Sequence, residues 1–142
     1  MVKKHFITRG PKETENAGKK LSEELNFSDI VIFKGPFGCG KTTMIRGIIK
    51  YFTGENIVTS PSFVILNEYE GKIPIYHFDL YRITSSAELE TVGYKDYLGK
   101  GLVLIEWPEK IIPMIKQKYI QVDIRYISLK KREINIHEKT YN

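Results

Sequence analysis

An α/β fold with a mixed, largely parallel central sheet is the class this sequence predicts, and three observations predict it. Residues 29–33, Asp-Ile-Val-Ile-Phe, form a continuous apolar run of the kind found in a strand covered on both faces. A glycine-rich turn, Gly35-Pro36-Phe37-Gly38-Cys39-Gly40, follows at Lys34, and Ile45, Ile48, Ile49 and Phe52 then recur at helical spacing. A second apolar run at 102–105 is closed by Glu106-Trp107-Pro108. Strand, glycine loop and helix in that order build a layered sheet with helices on its faces.

The remaining elements follow along the chain. His5-Phe6-Ile7-Thr8 reads as a short strand, and after Pro11 a helix places Ala17, Leu21 and Leu25 on one face at four-residue spacing. Residues 41–52 make the next helix, stopped by Thr53-Gly54. A short strand is expected at Ile57-Val58, and Glu70-Gly71-Lys72 turns a strand at 63–69 into one at 75–79 as a hairpin. Ser85 or Ser86 caps a short helix that Gly93 ends. Residues 119–126 and 133–137 alternate in polarity around Leu129-Lys130-Lys131, a second hairpin. The sheet therefore has a parallel centre and antiparallel hairpin additions.

Composition narrows the function. With 142 residues, 42% hydrophobic and 27% charged, the chain suits one core, so a single domain is expected over residues 1–142. No apolar run approaches the roughly 20 residues a bilayer span needs, so no membrane role is expected. The basic start, Met1-Val2-Lys3-Lys4-His5, lacks the apolar stretch of a secretory signal. Cys39 is the sole cysteine, which excludes an intramolecular disulfide and a thiolate metal cluster and makes a reducing, cytoplasmic compartment the expectation. A net charge of +5 and a pI near 9.2 suit work beside nucleic acid or nucleotide phosphates. The same charge suits a lysine-rich composition, since 17 lysines outnumber 5 arginines and scatter except at Lys130-Lys131-Arg132, which reads as a basic patch or equally well as a solvated turn.

The chemistry starts at Gly35-Pro36-Phe37-Gly38-Cys39-Gly40-Lys41-Thr42, which fits G-x-x-x-x-G-K-[ST]. Glycines let the backbone fold into a nest whose N–H groups converge on phosphate oxygens, and a helix starting near Lys41 aims its positive end at the same anion. Lys41 then reaches the outer phosphates of ATP and the Thr42 hydroxyl ligates Mg²⁺. The fold expected is thus the three-layer P-loop NTPase fold. Glu106 leaves its strand at the carboxyl end, where open α/β sheets place ligands, and is the acid expected to share the Mg²⁺ with Thr42.

Asp79 is the second acid. Period-two alternation puts Ile75, His77 and Asp79 on one strand face, and Asp79 serves either to hold a metal-bound water, to orient the nucleophile, or to cap a turn. His77 reads first as a packed, hydrogen-bonded histidine. Arg82 either neutralises transition-state charge or pairs with Glu88. Thr59-Ser60-Pro61-Ser62-Phe63 is a hydroxyl-rich loop that reads as a γ-phosphate switch or as a plain Ser-Pro turn. Trp107 belongs to the core or to a partner surface.

Taken together, residues 35–43, Thr59-Ser60-Pro61-Ser62-Phe63, His77-Phe78-Asp79-Leu80-Tyr81-Arg82 and Leu104-Ile105-Glu106-Trp107-Pro108-Glu109, in this order in a short chain, resemble the TsaE (YjeE) family over about residues 8–110. The resemblance implies a P-loop ATPase that uses ATP and Mg²⁺ in tRNA threonylcarbamoyladenosine modification. It implies partnership with TsaD and TsaB, tRNA being met indirectly or through that complex. Carried over, the family's working residues are Lys41, Thr42, Asp79 and Glu106, with Lys41, Asp79 and Glu106 catalytic and Thr42 and Glu106 on the metal. The nucleotide contacts are Gly35, Pro36, Phe37, Gly38, Cys39, Gly40, Lys41, Thr42 and Thr43, and Thr14 stands in the family's opening helix near the nucleotide. Ser62 stands where the family usually has Thr. Cys39 replaces a common Ala, and beside a helix N-terminus its thiol is expected to be reactive. A GTPase is excluded by the lack of an Asn-Lys pair. A small-molecule or nucleoside kinase is the alternative, and a nucleotide-binding adaptor without turnover is a third reading.

Overall fold

A computed structural model describes residues 3–54 and 65–140. Along it run β1 (Lys3–Thr8), α1 (Pro11–Ser22), β2 (Ile30–Lys34), α2 (Lys41–Thr53), β3 (Leu66–Tyr69) and β4 (Ile75–Asp79). They are followed by α3 (Ser86–Val92), β5 (Leu102–Glu106), β6 (Tyr119–Ser128) and β7 (Lys131–Lys139). Single 3-10 turns occur at Tyr94–Asp96, Pro108–Lys110 and Ile112–Met114. The strands form one sheet in the order β1-β7-β6-β2-β5-β4-β3.

The most apolar strands lie innermost. Ile30 to Phe33 of β2 and all of β5 are buried, because helices or turns cover both sides of the sheet there. Val31 and Phe33 of β2 join Leu102 and Leu104 of β5 in the core beneath α1 and α2. Ile30, Ile32, Val103 and Ile105 point the other way, against Leu89 of α3 and Ile111 and Ile115 of the 3-10 region. The parallel pairs are β6–β2, β2–β5 and β5–β4, and the antiparallel pairs are β1–β7, β7–β6 and β4–β3. The architecture is the expected mixed α/β sheet, with a parallel centre of four of its seven strands and antiparallel strands at both edges.

Several boundaries move. The C-terminal strands run longer than their alternation suggested, because β6 and β7 continue pairing past the core to Ser128 opposite Lys131. The strand expected at 63–69 is observed from Leu66, and Ile57-Val58 lies outside the described residues. Ser85, not Ser86, caps α3, its hydroxyl accepting a hydrogen bond from the Glu88 amide at 3.2 Å. No described helix is long and apolar enough to cross a membrane.

Helices α1 and α2 approach each other so closely that two glycines are required. A Cβ on Gly18 would stand 2.1 Å from the Met44 carbonyl oxygen, and one on Gly47 would stand 2.0 Å from that of Glu15. Alanine at Gly47 gains helix propensity, worth about 1 kcal/mol, yet must drive two backbones apart, which costs more. We therefore expect Gly47→Ala to destabilise the protein by about 2 kcal/mol net in equilibrium urea unfolding. An unchanged or raised stability would show that the helices separate freely.

Candidate functional site

The parallel centre brings the ends of β2, β4 and β5 to one edge of the sheet. From β2 the chain enters the glycine loop. Gly35 takes φ 154° and Gly40 φ 114°, backbone conformations that side chains rarely adopt. Space closes there too, since a Cβ on Gly35 would meet the Ile124 carbonyl oxygen at 2.5 Å and one on Gly40 would meet Thr14 at 3.2 Å. Gly40 also caps α2 without any side-chain hydrogen bond, so the first amides of a 13-residue helix face the loop unpaired by a cap. Pro36 contributes its carbonyl, which accepts the Cys39 amide at 3.3 Å, and closes the turn.

At this edge the structure gathers the expected side chains. Thr42 donates its hydroxyl to Glu106 Oε1 at 3.0 Å, joining the first turn of α2 to the tip of β5. Glu106 is 3% exposed, and its second oxygen, Oε2, lies 2.7 Å from His77 Nε2. Asp79 pairs across the ladder with Glu106, and its Oδ1 accepts the Tyr81 amide at 3.0 Å. Thr42 and Glu106 are hard oxygen donors of the kind a divalent cation takes. Among the described residues no group of three or more His, Cys, Asp or Glu side chains forms a metal site, so this pair alone completes no ion shell.

Lys41 is turned inward. Its ammonium donates to the Gly35 carbonyl at 2.6 Å and lies 3.4 Å from the centre of the Trp107 ring. Burial lowers its pKa, opposed by the negative charges of Glu106, Glu109 and Asp79 and by Cys39. Burial likewise raises the Asp79 carboxyl, against the help of the Tyr81 amide. Trp107 has φ 56°, the one non-glycine residue with positive φ among those described, a backbone strain of about 1–3 kcal/mol held beside the acid. Its ring meets Phe37 at 4.8 Å and Tyr81 at 5.0 Å, and Phe37 meets Tyr81 at 4.7 Å. Phe37 and Tyr81 remain 62% and 53% exposed, so an aromatic cap stands over the lysine.

On the other side of the glycine loop lies a cavity of about 360 Å³, lined among others by Thr14, Gly38, Thr43, Leu129 and Arg132. Thr14 is buried, shares a hydrogen bond with Thr8 at 2.9 Å, and donates to the Gly10 carbonyl at 3.2 Å. Arg132 was expected either in a basic patch or in a solvated turn. Instead its Nε donates to the Cys39 carbonyl at 3.2 Å and its guanidinium lies 4.1 Å from the Tyr126 ring. Tyr126 in turn donates its hydroxyl to the Phe37 carbonyl at 3.0 Å. The β6–β7 hairpin therefore holds the outside of the loop, a role that no local pattern marks because Arg132 and Cys39 lie 93 positions apart.

His77 is packed and hydrogen-bonded, as expected, and its partner is the site's acid. Thr59-Ser60-Pro61-Ser62-Phe63 lies outside the described residues. Glu88, the surface partner considered for Arg82, accepts from the Thr84 hydroxyl. Cys39 departs from expectation. Its side chain is 1% exposed, and burial raises the thiol pKa more strongly than Lys41, Arg132 and the neighbouring amides lower it. A thiol with a raised pKa holds less thiolate, the reacting form, at neutral pH. Iodoacetamide should accordingly modify native Cys39 at pH 8 at least about tenfold more slowly than the urea-unfolded chain. Equal rates would restore the reactive reading.

Comparison with known proteins accords with this geometry. The family model described as "Threonylcarbamoyl adenosine biosynthesis protein TsaE" matches residues 8–134. The tRNA threonylcarbamoyladenosine biosynthesis protein TsaE of Rickettsia prowazekii is 39% identical over 132 residues, covering 92% of each chain. The protein of the same name from Bacillus subtilis is 34% identical over 129 residues, covering 89% of this chain and 80% of its own. Among solved structures, the crystal structure of Bacillus subtilis YdiB superposes with a TM-score of 0.73 at 29% identity, covering 96% of this chain and 86% of the other. With the match running from the end of β1 into β7, and so through every element that builds the site, this chain belongs to the TsaE family.

Proposed function

We propose that this chain is a P-loop ATPase that binds and hydrolyses ATP with Mg²⁺ and acts in tRNA N6-threonylcarbamoyladenosine formation together with TsaD and TsaB. The observation that carries the reading is the 3.0 Å contact between Thr42 and Glu106, made beside an uncapped helix terminus and a glycine loop. Unpaired amides and the positive helix end suit phosphate oxygens. Thr42 and Glu106 are the residues that would hold the cation, which when bound offsets charge on the phosphates and polarises them. The cavity beside Gly40 falls within the usual size of small-ligand pockets, roughly 300–1,000 Å³, and suits the nucleoside end. Relatives named for tRNA threonylcarbamoyladenosine biosynthesis support the pathway.

Each residue then has a task. The glycine-loop amides grip phosphate, and Lys41 places positive charge at the outer end once it leaves Gly35 and Trp107. Asp79, its carboxyl made more basic by burial, orients or accepts from the attacking water. Phosphate release should be low in the isolated protein and rise when TsaB and TsaD are added. Glu106→Ala should lower that release about 100-fold while keeping nucleotide binding, and Lys41→Ala should lose both. Unchanged release in Glu106→Ala would overturn the assignment. Phosphate transfer to a third molecule would point to a kinase, and release in neither mixture to an adaptor.

The site also carries its own optical probe. Trp107 is the single tryptophan, and its ring faces the Lys41 ammonium. Withdrawal of that cation toward phosphate should change its emission. Titration with ATP and Mg²⁺ should thus shift Trp107 fluorescence saturably, GTP should do so more weakly, and no change with ATP would place the nucleotide elsewhere.

A further inference from the structure

We infer that His77 is a positioning residue whose imidazole fixes the Glu106 carboxylate in the orientation that, with Thr42, receives the divalent cation. The inference rests on the Mg²⁺ reading above. Sheet register supplies the geometry: His77 stands opposite Leu104 and Asp79 opposite Glu106, so His77 and Glu106 are diagonal neighbours on one face. Their contact is 2.7 Å, from Nε2 to Oε2, while Oε1 takes the Thr42 hydroxyl. Toward an ionised carboxylate, which only accepts hydrogen bonds, Nε2 is the donor. The carboxylate is thereby held by both oxygens, one from β4 and one from α2, and cannot rotate without losing a partner.

Packing does not account for a histidine here. The side chain is fully buried on the face that holds Ile75, Leu102 and Leu104, and its Nδ1 has no hydrogen-bond partner among the described residues. An unpartnered buried polar atom is a cost that an apolar side chain of similar size would avoid. Local rules broken at a cost mark sites kept for another purpose, and the one bond the ring makes is to Glu106. Asp79 differs, since its Oδ1 is tied to the chain's own backbone at Tyr81.

The test compares His77→Gln, whose amide nitrogen reaches the place of Nε2, with His77→Asn, whose amide falls short of it. Binding of a non-hydrolysable ATP analogue is measured by calorimetry in EDTA and across a Mg²⁺ series. His77→Asn should raise the half-effective Mg²⁺ concentration about tenfold or more, leave metal-free binding within about twofold, and be rescued by His77→Gln. Equal behaviour of the two variants, or parallel loss of metal-free binding, would reduce His77 to a packing residue. Should the Asn variant not fold, His77→Leu takes its place as the variant without the hydrogen bond: a tenfold shift that His77→Gln lacks supports the role, and equal Mg²⁺ dependence of the two overturns it. Glu106→Ala separates the two levels. If it too leaves the Mg²⁺ dependence intact, the metal reading itself falls, whereas a loss there with none in His77→Asn removes only the role of His77.

Discussion

A carboxylate at the tip of an otherwise apolar strand sets the terms for this structure. Glu106 ends β5, where every residue is buried, and an ionised group left there without partners would cost about 3–5 kcal/mol. It is met instead from two directions, by Thr42 at a separation of 64 positions and by His77 at 29. The Lys41 ammonium adds a favourable charge, seen in the pull of Glu106 against the desolvation of that lysine. Satisfying one acid therefore ties the first turn of α2 to two neighbouring strands. The glycine loop, strung between β2 and α2, inherits its place from that tie.

Much of this was legible because the relevant patterns are local. Continuous apolar runs mark β2 and β5 since both faces of those strands are covered, and helical spacing marks α2 since one of its faces meets the sheet. The glycine loop is readable because it needs backbone conformations and clearances that only glycine meets at Gly35 and Gly40. Alternation along β4 put His77 beside Asp79 on one face, and the same rule applied across the β4–β5 ladder leads on to Glu106. What the alternation lacked was the register between strands, which depends on the whole sheet.

The rest was hidden for the same reason. Arg132 and Tyr126 sit on a hairpin whose tip looks like a charged, solvated turn, and only the sheet order, with β6 next to β2, brings that tip to the glycine loop. Cys39 looked activated by a helix end, but its burial within the loop dehydrates it, and desolvation outweighs the charges of Lys41 and Arg132. Trp107 offered two readings, core or surface. A left-handed backbone turn at that residue, which sequence does not announce, swings the ring across Lys41 and gives a third.

The twin contact of Gly18 and Gly47 acts as a gauge block. Where main chains rest on one another, a slide by one helical residue, about 1.5 Å, would push bulkier neighbours into carbonyl oxygens that now face glycines, where even a Cβ has no room. Thr14, on one helix, and the glycine loop, at the head of the other, consequently keep a fixed separation. Whatever occupies the space between them is measured against a rigid calliper.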